Sequence, residues 1–572
     1  MPPIALGLAL IAVPLLGGEF VAYQVALFLI YGIATQGVAL CWGRLGILSL
    51  GHALFFGLGA YVAGGIVKAD PATATWLVAV PLALAVPTLL AYGVARLIFA
   101  RSQQSGPYFS LITLAMTMLG FLAAQQWGSL TGGFNGMTDI PELPGTERYS
   151  TLYWVVAVVA VISTALLGSV ARRPIGVLWS AVALNEERLQ LLGYATDRVK
   201  AAAFALSALV AAAAGVLFAA HQGIVTPLAM GFLISTEFVI WAAVGGKASA
   251  LGALAGAVVV GYASSELRDH FAYWEVGVAA LFIVVVRFLP QGIAGVFARM
   301  PGLRESSDPG SPLPAPARQR RPAAPSLSLE AVATGQGGVR ILDGLSLRVA
   351  GRGIACVIGP NGAGKTSMFN VMTGKLPVRG GRIVLDGIDV SGEGAWRMAR
   401  RGVGRKLQIP SVFATLSVRQ NLLVALWSGR LAFAASLARS PLRWSDPLLE
   451  QLLNRYPALR EKMEQRAGSL SQGQRQALEF IMTVLPQPRH VLLDEPCAGL
   501  SPAETHQMVQ VIQEAIGALD ASALIIEHDI SAVATFGGTV FVLHQGRLLA
   551  QGTLAEIQAD PQVQAVYAGG RK

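Results

Sequence analysis

Long apolar runs fill most of the first 300 residues, and they constrain the fold more than any other feature of the chain. Most of these runs are long enough to cross the roughly 30 Å of hydrocarbon in a lipid bilayer. They lie near residues 4–18, 20–42, 45–67, 75–99, 107–127, 150–170, 201–221, 232–245, 249–265 and 274–290. The sequence therefore predicts a polytopic α-helical membrane domain of about eight to ten helices, with the shorter runs suited to broken or re-entrant helices.

The charged residues divide the chain into two different halves. Residues 1–300 hold 14 Lys/Arg and 12 Asp/Glu, whereas residues 301–572 hold 29 and 21. Between the halves, residues 301–325 contain seven prolines and almost no large apolar side chain, which is typical of an extended linker. We therefore predict a membrane domain over 1–300, a proline-rich linker over 301–325 and a water-facing domain over 326–572.

The net charge of +10 admits two explanations, a nucleic-acid partner or loops that face anionic lipid. Because basic side chains flank the apolar runs, we favour the second and expect the lipid bilayer, and no nucleic acid, as a partner. The flanking residues are Arg96, Arg101, Arg172, Arg173, Arg188, Arg198, Lys200, Arg287 and Arg299. Segment 128–149 carries three acidic residues against Arg148 alone and is expected to face outward. Three widely spaced cysteines support neither a disulfide framework nor a zinc site.

Two patterns in the membrane half invite a functional interpretation. His52, His221 and Glu237 lie in apolar runs, where polar groups are costly, so each is a candidate for a solute path or, alternatively, a residue at the membrane interface. Residues 171–200 form the long charged stretch of this half and predict a short amphipathic helix ending before Gly193. Such a helix could dock in a groove of a soluble partner; the alternative is a solvated loop.

The second half contains a phosphate-binding motif. The sequence GPNGAGKT follows the apolar run 354–358, the strand–loop–helix setting in which backbone N–H groups surround phosphates. We call residues 359–366 the phosphate loop. Lys365 is expected to neutralise the β- and γ-phosphates of ATP, and Thr366 to hold Mg²⁺. The predicted nucleotide-binding residues here are Gly359, Pro360, Asn361, Gly362, Ala363, Gly364, Lys365, Thr366 and the adjacent Ser367.

Two further motifs complete a hydrolytic site. The stretch HVLLDEP over 490–496 predicts a buried strand that ends in Asp494, for the Mg²⁺ side, and Glu495, as the base for the attacking water. The stretch LSQGQ over 470–474 precedes a helix predicted over 475–485, and a helix N-terminus of this kind binds anions. A second phosphate site is explained if Ser471, Gly473 and Gln474 reach ATP held by a partner domain.

With these motifs, residues 330–572 resemble the ATP-binding-cassette (ABC) family. Gln408 in GRKLQIP is similar to the family's glutamine loop and His528 in IIEHDI to its switch histidine. The resemblance implies that Gln408 contacts Mg²⁺ or water and that His528 holds the γ-phosphate. The sequence departs from the family at two places, because residues 335–342 offer no aromatic ring for adenine and Ser501 stands where an aspartate is frequent.

The membrane half resembles the permeases for branched-chain amino acids and for urea or amides. The stretches that carry this resemblance are GRLGILSLGHALFFGLGAY (43–61), TGGFNGMTDIP (131–141), RRPIGVLWSAVALNEERLQLLGY (172–194) and FLPQGIAG (288–295). It implies that the loop with Glu186, Glu187 and Gly193 is the coupling helix that fits the ATPase. IWAAVGGKASALGA (240–253), LQIPSVF (407–413) and NGMTD (135–139) look more like the urea or short-chain-amide branch, which we prefer over branched-chain amino acids.

The resemblance implies an ATP-driven importer in the bacterial inner membrane, with a cytoplasmic ATPase domain. A periplasmic binding protein would deliver a small polar solute, and a second permease and a second ATP-binding subunit, or another copy of this chain, would complete the assembly. An exporter is a rival, but it would show six long spans before the ATPase. A non-transporting sensor or scaffold, switched by ATP, is the alternative from a different class.

Overall fold

The computed structural model describes residues 2–101, 106–270, 273–289, 291–298, 311–312, 324–337, 339–430, 436, 442–443 and 446–569. The chain forms two compact units, which are described separately. The helical unit comprises Met1–Ala183 and Asp197–Ser307, and the ATPase unit comprises Leu184–Thr196 and Asp308–Lys572. Most of the predicted linker lies outside the described residues, so the domain limits 1–300, 301–325 and 326–572 stay a prediction.

Seven helices of the helical unit, among the described residues, are long and apolar enough to cross a membrane. These segments are Ile4–Arg44, His52–Ala69, Thr73–Ala100, Gly106–Gln126, Leu152–Ala171, Thr196–Gln222 and Ala250–Arg268. Shorter helices cover Gly128–Thr131, Pro174–Leu184, Phe232–Gly245, Trp274–Phe288 and Gly292–Ala298, and single turns cover Thr73–Thr75, Gly133–Asn135 and Pro227–Met230. The helical membrane fold predicted from the apolar runs is thereby confirmed. The first two runs lie in one helix, Pro2–Ala39, which is interrupted at Gly18 by a φ of 74°.

Glycines allow these helices to approach closely. A Cβ atom placed on Gly59 would lie 2.5 Å from the carbonyl oxygen of Ala212, and one on Gly252 would lie 2.5 Å from that of Gly245. Close backbone contact of this kind holds membrane helices together where lipid provides no hydrophobic drive. The outer helix faces carry exposed apolar side chains such as Leu89, as expected for surfaces that contact lipid.

The polar residues of the membrane half differ in their surroundings. His52 and His221 are fully buried within the helical unit. The Nε2 atom of His52 lies 3.2 Å from the Ser207 hydroxyl, and that of His221 lies 3.1 Å from the Tyr23 carbonyl oxygen. Glu237 is half-buried. The two histidines are therefore buried among protein side chains, and both a role in a solute path and a position at the membrane interface stay predictions.

The ATPase unit is built on two main sheets. The larger has six strands, parallel except at one edge, in the order Arg547–Gly552, Thr539–His544, Gly353–Ile358, Ser522–Ile526, His490–Asp494 and Val403–Lys406. The smaller is antiparallel, in the order Val339–Ala350, Ser326–Gln336, Gly380–Leu385 and Ile388–Asp389. Ser311–Pro312 also pairs with Leu442–Arg443. The two central strands of the larger sheet are almost wholly buried, as is usual for parallel sheets covered on both faces.

Helices cover the sheets of the ATPase unit and enclose its apolar core. They span Glu186–Leu191, Lys365–Met372, Ala395–Arg400, Val418–Trp427, Pro447–Arg455, Pro457–Glu461, Gln472–Val484, Pro502–Leu519, Ile530–Phe536, Leu554–Ala559 and Pro561–Gly569, with a single turn at Ala467–Ser469. The core packs Met368 and Phe369 of one helix against strand residues such as Leu492 and Leu524. This packing holds the phosphate loop against the edge of the larger sheet.

Candidate nucleotide-binding site

Three parallel strands end at the same edge of the larger sheet. Ser522–Ile526 lies between Gly353–Ile358 and His490–Asp494 and pairs with both. The residues that follow these strands are the phosphate loop, Glu495 and His528. The phosphate loop is thus brought together with Glu495 and His528, which lie more than 100 residues further along the sequence, at the carboxyl ends of the strands, where open α/β sheets bind their ligands.

The phosphate loop makes a tight turn between its strand and the helix Lys365–Met372. Gly359 has a φ of 152°, and a side chain there would overlap the carbonyl oxygen of Leu543 in the neighbouring strand. Gly364, with a φ of 98°, precedes the helix. The glycines therefore permit a backbone path that directs N–H groups toward a bound anion.

Lys365 is directed back into this loop. Its Nζ atom donates hydrogen bonds to the carbonyl oxygens of Gly359, at 2.7 Å, and Pro360, at 3.0 Å. Burial lowers the pKa of Lys365, whereas the nearby carboxylates of Glu495 and Asp494 oppose that shift. The lysine thus links the phosphate loop electrostatically to the acidic end of the central strand.

Asp494 has the surroundings expected of a magnesium ligand. It is 1% exposed, and neither of its carboxylate oxygens has a hydrogen-bond partner among the described residues. Its closest cation is Arg405, whose Nη2 atom lies 3.7 Å away. Burial raises the pKa of Asp494. Buried oxygens without partners are costly, and Mg²⁺ bound by carboxylate oxygens would relieve that cost. The donor set therefore fits the predicted ion.

The other two residues predicted on the metal side are exposed. Thr366 is the second residue of its helix, directly after Lys365. Gln408 follows the strand Val403–Lys406 by two residues, and no hydrogen bond joins it to the part of the chain that the structure describes. Their roles toward Mg²⁺ stay predictions.

The structure brings the predicted base and the predicted switch residue into contact. His528 Nε2 lies 3.0 Å from Glu495 Oε1. Glu495 has a φ of 45°, which is uncommon for a residue other than glycine, and its N–H donates to the Ile526 carbonyl oxygen at 2.9 Å. This turn allows Glu495 to leave the buried strand, so that its side chain is 18% exposed while Asp494 stays inside.

Glu527, which the sequence motifs did not indicate, lies next to His528 in the sequence and contacts its backbone. Its side chain is buried and accepts hydrogen bonds from the N–H of Cys497, at 3.0 Å, and from the N–H of His528, at 3.3 Å. Burial raises the pKa of Glu527, and these hydrogen bonds oppose the shift. An acidic residue between a buried strand and a candidate catalytic histidine was the available signal.

The predicted partner-facing motif lies at a helix N-terminus. The helix covers Gln472–Val484 and thus begins three residues earlier than predicted, because Ser471 and Gln474 form a capping box. Ser471 is exposed, and Gly473 is half-buried, where a Cβ atom would lie 2.5 Å from the Glu504 carboxylate oxygen Oε1. The N-terminus is therefore open to an anion from outside the unit.

The two departures from the family pattern have structural counterparts. Ile341 and Leu342 lie beside Gly364, in the region where an aromatic ring was expected. Ser501 caps the helix Pro502–Leu519 by accepting a hydrogen bond from the Glu504 N–H. Both positions thus contribute to local structure, and neither supplies the aromatic ring or aspartate that is frequent in the family.

A loop from the first half of the sequence belongs to the ATPase unit. We call Leu184–Thr196 the docking loop. It contains the helix Glu186–Leu191, capped by Asn185, and it turns at Gly193, which has a φ of 86°. The amphipathic helix predicted to end before Gly193 is confirmed, and the alternative of a solvated loop is wrong.

The predicted coupling residues make polar contacts within this unit. Glu187 forms an ion pair with Lys375 at 2.6 Å, and the Gly193 carbonyl oxygen accepts a hydrogen bond from Arg400 Nε at 2.7 Å. Glu186 accepts a hydrogen bond from the Thr196 hydroxyl, within the loop, at 2.8 Å.

The most buried polar side chain of the docking loop is Arg188, to which the sequence analysis gave no coupling role. It donates hydrogen bonds to the carbonyl oxygens of Arg405, at 2.8 Å, and Glu479, at 3.0 Å, and to the Thr483 hydroxyl, at 3.0 Å. Tyr194 also donates to the Val424 carbonyl oxygen at 2.7 Å. Because a charged residue in a short amphipathic helix is usually solvated, the sequence alone did not distinguish Arg188 from its neighbours.

Comparison with known proteins agrees with both halves of the chain. Residues 20–287 match the family model described as the permease component of the branched-chain amino acid transport system, and residues 342–498 match the ABC transporter model. The high-affinity branched-chain amino acid transport ATP-binding protein BraF of Pseudomonas aeruginosa is 33% identical over 255 residues, which cover 43% of this chain and 98% of BraF. LivG of Escherichia coli K12, with the same description, is 34% identical over 256 residues, with coverage of 43% and 98%.

Proposed function

The chain belongs to the branched-chain amino acid transport family of ABC transporters, with a permease and an ATP-hydrolysing component joined in one polypeptide, and we propose that it imports a small polar solute. One observation carries this proposal. The docking loop, which connects helices of the permease component, is packed within the ATPase unit through buried side chains. The docking loop is therefore covalently joined to the permease helices and packed into the ATPase unit, so that movement of the ATPase during hydrolysis can be transmitted to the helices.

Within the nucleotide site we assign roles to the residues on the sheet edge. Lys365 and the backbone N–H groups of the phosphate loop bind the phosphates of ATP. Glu495 accepts a proton from the attacking water, and His528 orients Glu495 and contacts the γ-phosphate. Asp494, Thr366 and Gln408 would hold Mg²⁺, which would supply positive charge to neutralise the β- and γ-phosphates.

A complete transporter needs further subunits. Ser471 and Gly473 form an anion site that faces outward, so we propose that they contact ATP bound by a second ATP-binding domain. That domain belongs to another copy of the chain or to a homologous subunit, and it would bring a second permease. We place the transporter in the bacterial inner membrane, with its ATPase in the cytoplasm and a periplasmic binding protein delivering the solute.

Two solute classes have support. The permease component matches a branched-chain amino acid transport model over 268 positions, 20–287, which favours leucine, isoleucine or valine. The stretches 135–139, 240–253 and 407–413 are similar to the urea and short-chain-amide branch, which favours urea or a small amide. The BraF and LivG alignments cover only the share of this chain that corresponds to an ATP-binding protein, so they do not discriminate between the two.

Transport in liposomes tests the proposal. The chain, with its partner subunits and binding protein, should accumulate labelled leucine, urea or acetamide only when ATP is supplied on the ATPase side. Glu495→Gln should lower hydrolysis and uptake by about 10²–10⁴-fold, because the general base is lost. Glu461→Gln, at an exposed glutamate of the same unit, is the control. Hydrolysis without flux of any solute would favour the sensor, and efflux would favour the exporter.

A further inference from the structure

Three charged side chains meet in the interior of the ATPase unit. Glu479 Oε1 lies 3.5 Å from Arg188 Nη1 of the docking loop, and Glu479 Oε2 lies 3.8 Å from Lys406 Nζ. All three side chains are 0% exposed. Within this group of three, one carboxylate therefore faces two buried cations, and Asp494 is a further acidic group that acts on Lys406.

Glu479 also contacts the segment that leads to the nucleotide. Its Oε1 atom accepts a hydrogen bond from the Leu407 N–H at 3.2 Å, and Leu407 directly precedes Gln408. The same glutamate belongs to the helix Gln472–Val484, at whose N-terminus lie Ser471 and Gly473, the residues proposed to contact ATP of a second domain. A single carboxylate on this helix thus contacts Arg188 of the docking loop and both Lys406 and Leu407, at the end of the strand that precedes Gln408.

The energetics of this cluster depend on whether the docking loop is in place. A buried ion without an opposite charge is strongly unfavourable, so Glu479 needs a counter-ion at all times. Lys406 can act as this counter-ion when Arg188 is withdrawn, because Lys406 and Glu479 both belong to the ATP-binding domain itself. When Arg188 is docked, its hydrogen bonds to two carbonyl oxygens and to Thr483 offset the second buried cation. The two cations therefore compete for one carboxylate.

We propose that Glu479 is a positioning residue, shared between Arg188 and Lys406, that reports docking of the loop to the Leu407–Gln408 segment. The inference rests on the proposed transport function and specifies how the loop and the nucleotide site are coupled. With the loop docked, the carboxylate is drawn toward Arg188, while its Oε1 atom retains the Leu407 N–H. With the loop withdrawn, the carboxylate turns to Lys406 and releases that N–H. The position of Gln408 therefore depends on the loop.

The test uses the complete transporter in liposomes and measures hydrolysis and solute flux separately. Arg188→Met should lower the number of solutes moved per ATP at least about tenfold, the size of a typical coupling energy between sites, while hydrolysis itself changes less than about threefold. Arg188→Lys should recover part of that ratio. Lys406→Met should keep the ratio at or above that of the wild type, because Arg188 then has the carboxylate to itself. Arg489→Met, at an arginine that pairs with Asp386, is the control and should leave the ratio unchanged.

A second readout does not depend on flux. Glu187 and Lys375 form a half-exposed ion pair, so a Glu187→Cys/Lys375→Cys chain should be joined by a short bis-maleimide when the loop is docked. Arg188→Met should lower the yield of this cross-link severalfold, and Lys406→Met should maintain it. Equal yields and equal flux ratios in Arg188→Met and the wild type would overturn the proposal. If no solute moves in the wild type, the import function fails, while the cross-link still tests the shared carboxylate.

Discussion

At the scale of single residues, the nucleotide site combines a strained backbone with unsatisfied side chains. Glu495 has a left-handed backbone, and Asp494 buries two oxygens without hydrogen-bond partners in the described structure. Features of this kind cost stability, and they persist at sites where function requires them. Here they separate two adjacent carboxylates, so that one faces the magnesium side and the other faces His528.

The contact between Glu495 and His528 predicts that their effects on hydrolysis are not additive. Each of Glu495→Gln and His528→Ala should reduce the ATPase rate strongly, because each breaks the 3.0 Å contact that orients the base. The double variant should be little slower than the more damaging single variant, since residues that act as a unit give non-additive losses. The measurement is the steady-state ATPase rate of all four proteins, with ATP binding measured in parallel. If the rate of the double variant were reduced by the product of the two single reductions, the two residues would act independently.

The buried carboxylate of Asp494 predicts a pH-dependent stability with a definite sign. Burial raises its pKa above the ordinary value of 3.8, so folding favours the protonated form. Its contribution to stability is present at low pH and is lost as the pH rises through the raised pKa. Without nucleotide and Mg²⁺, Asp494→Asn should therefore gain melting temperature relative to the wild type as the pH increases from about 4 toward neutrality.

Asp389 provides a control of opposite sign for that experiment. Hydrogen bonds from Ser391 lower the pKa of Asp389, so its contribution is present above the ordinary value and is lost as the pH falls through the lowered one. Asp389→Asn should lose melting temperature relative to the wild type at neutral pH, and the loss should shrink in acid. If the two variants showed the same trend, burial of Asp494 would not explain its behaviour.

At the scale of secondary-structure elements, a comparison of two capping boxes distinguishes the effect of a helix cap on stability from its effect on ATP hydrolysis. Ser471 caps Gln472–Val484 together with Gln474, and Ser417 caps Val418–Trp427 together with Gln420. Ser471→Ala and Ser417→Ala should each cost about 1 kcal/mol, because each leaves an N-terminal N–H without its acceptor. Only Ser471→Ala should also abolish most ATP hydrolysis. The measurement compares melting temperature with ATPase rate, and equal activity losses would mean that Ser471 acts only as a cap.

The sequence predicted most elements of the ATPase unit because their signals are local. The strand at 490–494 contains the apolar run Val491–Leu493, and the phosphate loop lies between a strand and a helix, as its glycines indicate. Helix starts were less accurate, since the 475–485 prediction ignored the capping box at Ser471. In the membrane half, hydropathy does not distinguish a kink from a loop. The sequence therefore shows two separate apolar runs on either side of Gly18, where the structure has one helix interrupted by a kink.

The contacts that couple elements could not be predicted from local signals. Glu495 and His528 meet because their strands are neighbours in the sheet, although 32 intervening residues separate them in sequence. Arg188 and Glu479 are 291 positions apart, and nothing in the sequence around Arg188 distinguishes a buried arginine from a solvated one. Such pairs depend on how distant segments pack in the folded chain, and the local pattern of a single sequence does not show this packing.

At the scale of the whole molecule, the orientation in the membrane follows from the chain path. Leu152–Ala171 has 20 residues, which at 1.5 Å per residue is about 30 Å and enough to cross the hydrocarbon. The docking loop follows this helix and packs within the ATPase unit, while segment 128–149 precedes it. We therefore expect segment 128–149 on the side opposite to the ATPase.

Cysteine labelling in intact cells tests this orientation. Cys41, Cys356 and Cys497 are all buried, so the native chain should react slowly with a membrane-impermeant maleimide. Glu142→Cys, at an exposed residue of segment 128–149, should be labelled from outside once the outer membrane is permeable. Glu461→Cys, on the ATPase, should react only after the inner membrane is opened. Labelling of both positions from the same side would mean that Leu152–Ala171 does not cross the bilayer, because the docking loop that comes after this helix belongs to the same unit as Glu461.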